Sequence, residues 1–257
     1  MEERITSTRN RQVVEAAKLL SPKGRREQGR FLLEGERLVG EALRAGLRLT
    51  ALYARDPGQA EAKGLPLPVT PVSDEVLQRL CDTVTPQGVV AVAELPEDRP
   101  LALCPGGAYL LLENLQNAGN VGNVLRTAEA FDLDGVLFCG DRVDLFSPKV
   151  LRGSMGSSLR VQTAHYDTPQ QLRQAADAAG LPLWGAALSD RAIPLTQASL
   201  AGGIVAVGNE GAGLSEALLA LCDQLVVIPM AGMTESLSAA TAAAILMWEL
   251  WARRRPD

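Results

Sequence analysis

Histidine is almost missing from this chain: His165 is the only one in 257 residues. A mechanism built on a histidine pair, or a His-rich metal centre, is excluded, and no metal is expected. The four cysteines, Cys81, Cys104, Cys139 and Cys222, are widely spaced and form no Cys-x-x-Cys pair. That argues against a zinc site or a redox motif. They read as reduced, mostly buried small hydrophobes of a cytoplasmic protein. Aromatic residues make up only 4% of the chain. Alanine, leucine and valine must therefore build the core, which suits an α/β protein better than a β-sandwich. No apolar run is long enough to span a bilayer, so no membrane association is expected. The polar, charged start from Met1 to Asn10 does not read as a signal peptide.

What is present is an uneven distribution of charge. The whole chain has a formal net charge of −5, yet residues 1–55 hold 12 Lys+Arg against 7 Asp+Glu. A basic end on an acidic chain points to a polyanion-binding region, or to an ordinary solvated helix face. The length suits two domains. Residues 9–20 show helical spacing, followed by a turn-rich basic stretch over 21–30. Strands are expected at 31–35, 49–54 and 88–95, and helices at 37–46 and 73–82. This makes a small α/β unit over residues 1–96. Residues 97–107, rich in proline and glycine, read as a linker.

From residue 108 the pattern becomes regular. Apolar strands at 109–114, 135–140, 160–166, 182–188, 203–209 and 224–230 alternate with helices at 121–132, 148–156, 169–179, 214–222 and 236–254. This alternation implies a mostly parallel sheet covered on both faces, with ligands beyond the carboxyl ends of the strands. Three stretches fall at such ends. In 116–131, Gly119 and Gly122 permit close backbone approach, Asn117, Asn120 and Asn123 offer amides, and Arg126 can face an anion or pair with Glu129. The spacing is not Gly-x-Gly-x-x-Gly, which counts against a dehydrogenase. In 146–161, Ser147 and Pro148 open a helix, and Lys149, Arg152 and Ser154 either face a phosphate or serve tight packing. In 203–218, a buried strand runs into Gly208-Asn209-Glu210-Gly211, so the backbone passes close to something. A loop after Pro229 then leads into a helix rich in Ser, Thr and Ala.

The ordered set Asn120…Arg126, Ser154-Met155-Gly156, Gly208 to Gly211, Ile228-Pro229-Met230 and Ser236-Leu237 resembles the SpoU family of RNA 2′-O-ribose methyltransferases, in the knotted SPOUT superfamily. The resemblance covers about residues 108–254. The stretch 26–43 is similar to the L30e-like substrate-binding domain often attached to these enzymes. The resemblance implies a C-terminal trefoil knot, an exception to the usual absence of knots. It also implies a homodimer with the active site close to its interface. S-adenosyl-L-methionine would be held by Leu188, Gly208, Asn209, Gly211, Ile228, Met230, Leu237 and Ser238. Arg126 matches the family's catalytic arginine, with Asn120, Ser154 and Glu210 at positions of the same site. Ser238 departs from the family's usual asparagine. The implied substrate is structured RNA, large-subunit ribosomal RNA before transfer RNA. Arg9, Arg11, Lys18, Lys23, Arg25, Arg26 and Arg30 are the candidates for phosphate contacts. A catalytically silent RNA-binding protein on the same fold is the alternative from another class.

Overall fold

The computed structural model describes residues 4–58, 67–97, 101–232 and 236–254. They form two compact units: described residues within Met1–Asp98 together with Asp144–Arg160, and those within Arg99–Val143 together with Val161–Asp257.

The first unit holds a four-stranded sheet of β1 (Arg30–Glu34), β2 (Leu49–Ala54), β3 (Thr70–Pro71) and β4 (Val89–Glu94), in the order β1-β4-β2-β3. β4 runs antiparallel to both its neighbours, and β3 is parallel to β2. Helices α1 (Arg11–Lys18), α2 (Pro22–Gln28), α3 (Glu36–Arg44) and α4 (Asp74–Leu80) accompany it. The α2 helix replaces the turn expected over 21–30. Ser21 accepts a hydrogen bond from the Gly24 N–H, Pro22 opens the first turn, and Gly29 closes the helix at φ +61°. Each residue favours the position it occupies, and the high polarity of the stretch hid a complete helix.

Residues 144–160 lie in the chain between two strands of the second sheet but pack with the first unit. The expected break at 97–107 assigns them to the C-terminal part. Leu151, on α6 (Pro148–Gly153), joins the core of Phe31, Leu33, Val39 and Ala91. Phe146 lies against Phe31 with ring centroids 4.9 Å apart. Arg160 pairs with Glu41.

The second unit is a seven-stranded sheet of β5 (Ala108–Glu113), β6 (Gly135–Cys139), β7 (Thr163–Tyr166), β8 (Leu183–Ala186), β9 (Ile193–Pro194), β10 (Gly203–Val207) and β11 (Gln224–Val227). Its order is β7-β6-β5-β10-β8-β11-β9, and every pairing is parallel. Each residue of β5, β6 and β10 is buried, as befits strands covered on both faces. Helices α5 (Ala118–Ala130), α7 (Pro169–Ala178), α8 (Glu216–Leu219) and α9 (Ala239–Arg254) complete it. The two-residue β9 carries no strand signal of its own. The strand expected from 160 begins only at Thr163, because Ser157–Leu159 forms a 3₁₀ turn.

β5 and β10 are neighbours whose chains leave in opposite directions, β5 to β6 on one side and β10 towards β11 on the other. Such a point opens a crevice at the carboxyl ends of an open parallel sheet. The candidate site lies there.

Candidate active site

The loops that follow β5 and β10 are tied together. Asn209 donates from Nδ2 to the Asn114 carbonyl at 2.9 Å, while its Oδ1 accepts from the N–H groups of Gly211 and Ala212. The loop closes on itself through paired backbone bonds between Asn209 and Gly213, at 3.0 and 2.9 Å. A Cβ on Gly208 would stand 2.1 Å from the Gly213 backbone carbon, so only glycine fits. Beneath the loop, the buried Glu113 carboxylate accepts from the Ser215 N–H at 2.7 Å and from its hydroxyl at 2.6 Å. Ser215 is also the N-cap of α8, so Glu113 fixes where that helix starts. On the other loop Asn117 caps α5, and its Oδ1 accepts from Gly119 and Asn120. This aims the next side chain: Asn120 Nδ2 donates to Glu210 Oε1 at 2.9 Å.

Between the loop after β10 and the ends of β8 and β11 opens a cavity of about 430 Å³. Of the predicted cofactor-binding residues, Leu188, Gly208, Asn209, Gly211, Ile228, Met230 and Leu237 line it, and so does Glu210. The lining pairs apolar walls, Leu214, Val226 and Ile228 among them, with glycine-rich backbone. That is the composition of a small-molecule site, and about 430 Å³ lies in the usual range of roughly 300–1,000 Å³. Leu188 and Met230 are exposed large hydrophobics at this site, at 67% and 36%. The Asn209 side chain is consumed in holding the loop, which leaves its backbone to a ligand.

Three predicted residues lie elsewhere. Ser238 does not line the cavity. Its hydroxyl accepts from the Thr241 N–H at 3.2 Å and bonds the Thr241 hydroxyl at 2.8 Å, capping α9. Asparagine and serine are both good caps, so the departure from the family's usual residue keeps this task. Arg126 stands on the exposed face of α5 and has no hydrogen-bond or ion-pair partner among the described residues, Glu129 included. It is a cation left for a ligand. Ser154 belongs to the first unit and is 0% exposed. Its hydroxyl is spent on the Leu151 carbonyl at 3.2 Å and on Ser158 at 3.1 Å. Its expected place among the catalytic groups is corrected to a packing role.

The basic residues of the first unit also divide. Arg25 is 3% exposed, bonding Asp144 Oδ2 through Nη2 at 2.5 Å and the Leu19 carbonyl through Nη1. A guanidinium so enclosed cannot meet a phosphate, so the expected RNA contact is replaced by a structural ion pair. Lys18 pairs with Glu15, and Lys23 stands 3.8 Å from Glu27. Arg9, Arg11, Arg26 and Arg30 are exposed and have no ion pair among the described residues. Three of the four thiols are disarmed as nucleophiles: burial pushes Cys81 up to about 12 and Cys139 and Cys222 up to about 11.

Comparison with known proteins decides the family. The SpoU rRNA Methylase family matches residues 107–248, and the MRM3-like substrate binding domain matches residues 10–91. The chain belongs to the SpoU rRNA methylase family. It is 33% identical over 254 residues to the 23S rRNA (guanosine(2553)-2′-O)-methyltransferase RlmP of Bacillus subtilis (strain 168), covering 96% of this chain and 98% of that one. It is 32% identical to the 23S rRNA (uridine(2479)-2′-O)-methyltransferase of Streptomyces viridochromogenes, over 96% of this chain and 91% of that one. Among solved structures, the AdoMet-bound rRNA methyltransferase from Sinorhizobium meliloti superimposes with a TM-score of 0.87 at 28% identity, over 99% of both chains. As a SpoU methylase this protein is an S-adenosyl-L-methionine-dependent RNA methyltransferase. The residues at the switch point fit that cofactor: an apolar slot walled by backbone. Glu113 and Ser215, which set the position of the loop over this slot, escaped the sequence reading. The one signal was a glutamate ending an otherwise apolar strand.

Proposed function

We propose that this SpoU methylase transfers a methyl group to a ribose 2′-hydroxyl of large-subunit ribosomal RNA. The observation that carries the reading is the Asn120–Glu210 hydrogen bond at the mouth of the switch-point cavity, where the loops after β5 and β10 meet. The names of both curated relatives specify 23S rRNA and 2′-O transfer, and they differ in the nucleotide. The fold therefore sets the reaction and leaves the nucleotide to substrate capture.

S-adenosyl-L-methionine, when bound, supplies an electrophilic methyl group. The difficulty lies with the nucleophile, because a ribose hydroxyl is a poor acid. The protein must hold that oxygen in line and give its proton somewhere to go. A guanidinium stays protonated in proteins, so Arg126 serves as a clamp on the phosphate beside the target ribose and not as a base. Glu210, held through one oxygen by Asn120, has its second oxygen to receive a proton directly or through water. Leu188, Ile228, Met230 and Leu237 form the apolar enclosure of the cofactor, with backbone at Gly208, Asn209 and Gly211.

The first unit, which includes residues 144–160, serves RNA capture and the second serves the chemistry. Arg9, Arg11, Arg26 and Arg30 supply the phosphate contacts of the first, with Lys18 and Lys23 weaker contributors. The C-terminal strands and α9 form the trefoil knot, and two chains form a homodimer. An aromatic cluster supports the dimer: Trp248, 50% exposed on α9, lies against Trp251 and Phe131. Exposed aromatics of this kind are typical of interface cores. We read it as an enzyme that works in the cytoplasm, where it would meet ribosomal RNA.

The test is transfer of label from radiolabelled S-adenosyl-L-methionine to ribosomal and transfer RNA lacking the modification, followed by digestion to nucleosides. Label in a 2′-O-methylnucleoside of the large-subunit RNA is the expected result. Label only on a base, or only in transfer RNA, overturns the assignment.

A further inference from the structure

The first unit contains a second cavity, of about 440 Å³, whose lining comes from α1 and all four strands of its sheet. Arg11 and Gln12 on α1, Gln28 at the end of α2, whose Nε2 donates to the Glu15 carbonyl at 3.0 Å, and Arg30 at the start of β1 stand on its polar side. Leu19, Leu52, Leu67 and Pro68 supply apolar surface. Tyr53 also lines it and is 4% exposed, yet its hydroxyl has no hydrogen-bond partner among the described residues. That hydroxyl is not an enclosed atom, so it opens on the cavity, where a ligand can reach it. Arg11 and Arg30 are likewise exposed and unpaired. The one carboxylate in the lining, Glu15, is neutralised by Lys18 at 2.8 Å. The site thus combines a partly apolar wall, a hydroxyl open to the cavity without a protein partner, amides near the edge and two free cations.

We infer that this cavity seats one unstacked nucleobase of the RNA substrate, with the flanking phosphates on Arg11 and Arg30 and the base edge on Tyr53 and the two glutamines. Single-stranded loops and bulges are read in this way: a base splayed out of its helix enters an apolar slot, its edge meets polar side chains, and guanidinium groups stack or take the backbone. A lipid tail would leave the amides and the phenol unmatched, and an anion alone would leave the apolar interior empty. The inference rests on the proposed RNA substrate and goes beyond it, because it places sequence selection in the first unit, in a built pocket. The names of two relatives specify different nucleotides of 23S rRNA, so selection is a task for which this cavity has the chemistry.

The experiment uses the full chain, a ribosomal RNA fragment that it methylates, and three variants. Tyr53→Phe removes only the unpartnered hydroxyl, Gln12→Trp fills the cavity from an exposed helix position, and Arg11→Glu/Arg30→Glu reverses the rim charge. Each is expected to raise the KM for RNA by roughly tenfold while leaving S-adenosyl-L-methionine affinity unchanged. Tyr53→Phe is expected to do so with no loss of thermal stability, since it deletes no internal hydrogen bond. A raised KM for the double charge variant alone, with wild-type values for the other two, overturns the base seat in favour of a plain phosphate patch. Should the wild-type enzyme methylate no RNA, the functional reading fails first. The cavity is then judged by saturation-transfer NMR with AMP, GMP, CMP and UMP. Contact with Tyr53 for at least one nucleotide upholds it, and none for any overturns it.

Discussion

Two polar stretches of this chain look alike as sequence and are used in opposite ways. The loop after β10 walls a cavity, the loop after β5 is tied to it through Asn114 and Asn120, and Arg126 on α5 is left without a partner among the described residues. The segment 144–160 carries as much polar and charged character, but most of it is spent inside the first unit, with exposed Lys149 the cation left without an ion pair among the described residues. Ser154 is sealed between Leu151 and Ser158, Arg152 holds Asp82 at 2.8 Å, and Asp144 holds Arg25. The difference lies in satisfaction rather than composition. A polar group whose partners are internal builds structure, and one presented without partners is available for binding.

The sharpest test of that contrast sets two arginines side by side. Replacing Arg25 leaves Asp144 and the Leu19 carbonyl without their cation, and breaking a largely buried pair costs about 3 kcal/mol. Arg25→Ala is expected to show this loss in urea denaturation, with RNA affinity of the folded fraction near wild type. A variant of full stability that binds RNA poorly would reverse the assignment. Arg126→Ala is expected to behave in the other way, losing about 100-fold in kcat with unchanged S-adenosyl-L-methionine affinity and melting temperature. Wild-type turnover would remove Arg126 from the mechanism. Next in size is Asn209→Ala, which cuts the ties to Asn114, Gly211 and Ala212. Cofactor affinity should fall by about tenfold, since two backbone N–H groups and a carbonyl lose the group that positions them. Ser154→Ala should cost about 1 kcal/mol of stability and no rate. A large loss of kcat with stability intact would restore it to the catalytic set. The smallest effect is chemical. Burial holds three thiols at about 11 to 12, so iodoacetamide at pH 8 should label exposed Cys104 first, without loss of activity. Mass spectrometry reads the order of labelling.

The sheet of the second unit was legible because its strands are continuous apolar runs separated by helical spacing, a signal that needs no tertiary context. The glycines and Asn120 at the switch point were legible for a related reason: loops after parallel strands are where ligands bind, and a crowded backbone must be glycine. Other features depended on contacts far apart in the chain. Nothing local distinguishes Arg25 from Arg26, yet one is buried against Asp144, 119 residues away, and the other is exposed. The α2 helix has a cap at Ser21, a proline at its start and a glycine at its end, but its lack of an apolar stripe made it read as a loop. The placement of 144–160 with the first unit follows from Leu151 and Phe146 finding their core there, which local spacing cannot reveal. Ser238 looked like a lost contact, and its bond to Thr241 shows a retained helix cap.

The central claim is that the cofactor cavity is built by the loops after β8, β10 and β11, with no wall from the segment around Ser154. Calorimetric titration of S-adenosyl-L-methionine into Gly208→Ala and Ser154→Ala tests it directly. The Gly208 variant must displace the Gly213 backbone and should lose binding, while the Ser154 variant should bind as the wild type does. Retained binding in Gly208→Ala, or lost binding in a folded Ser154→Ala, would contradict it.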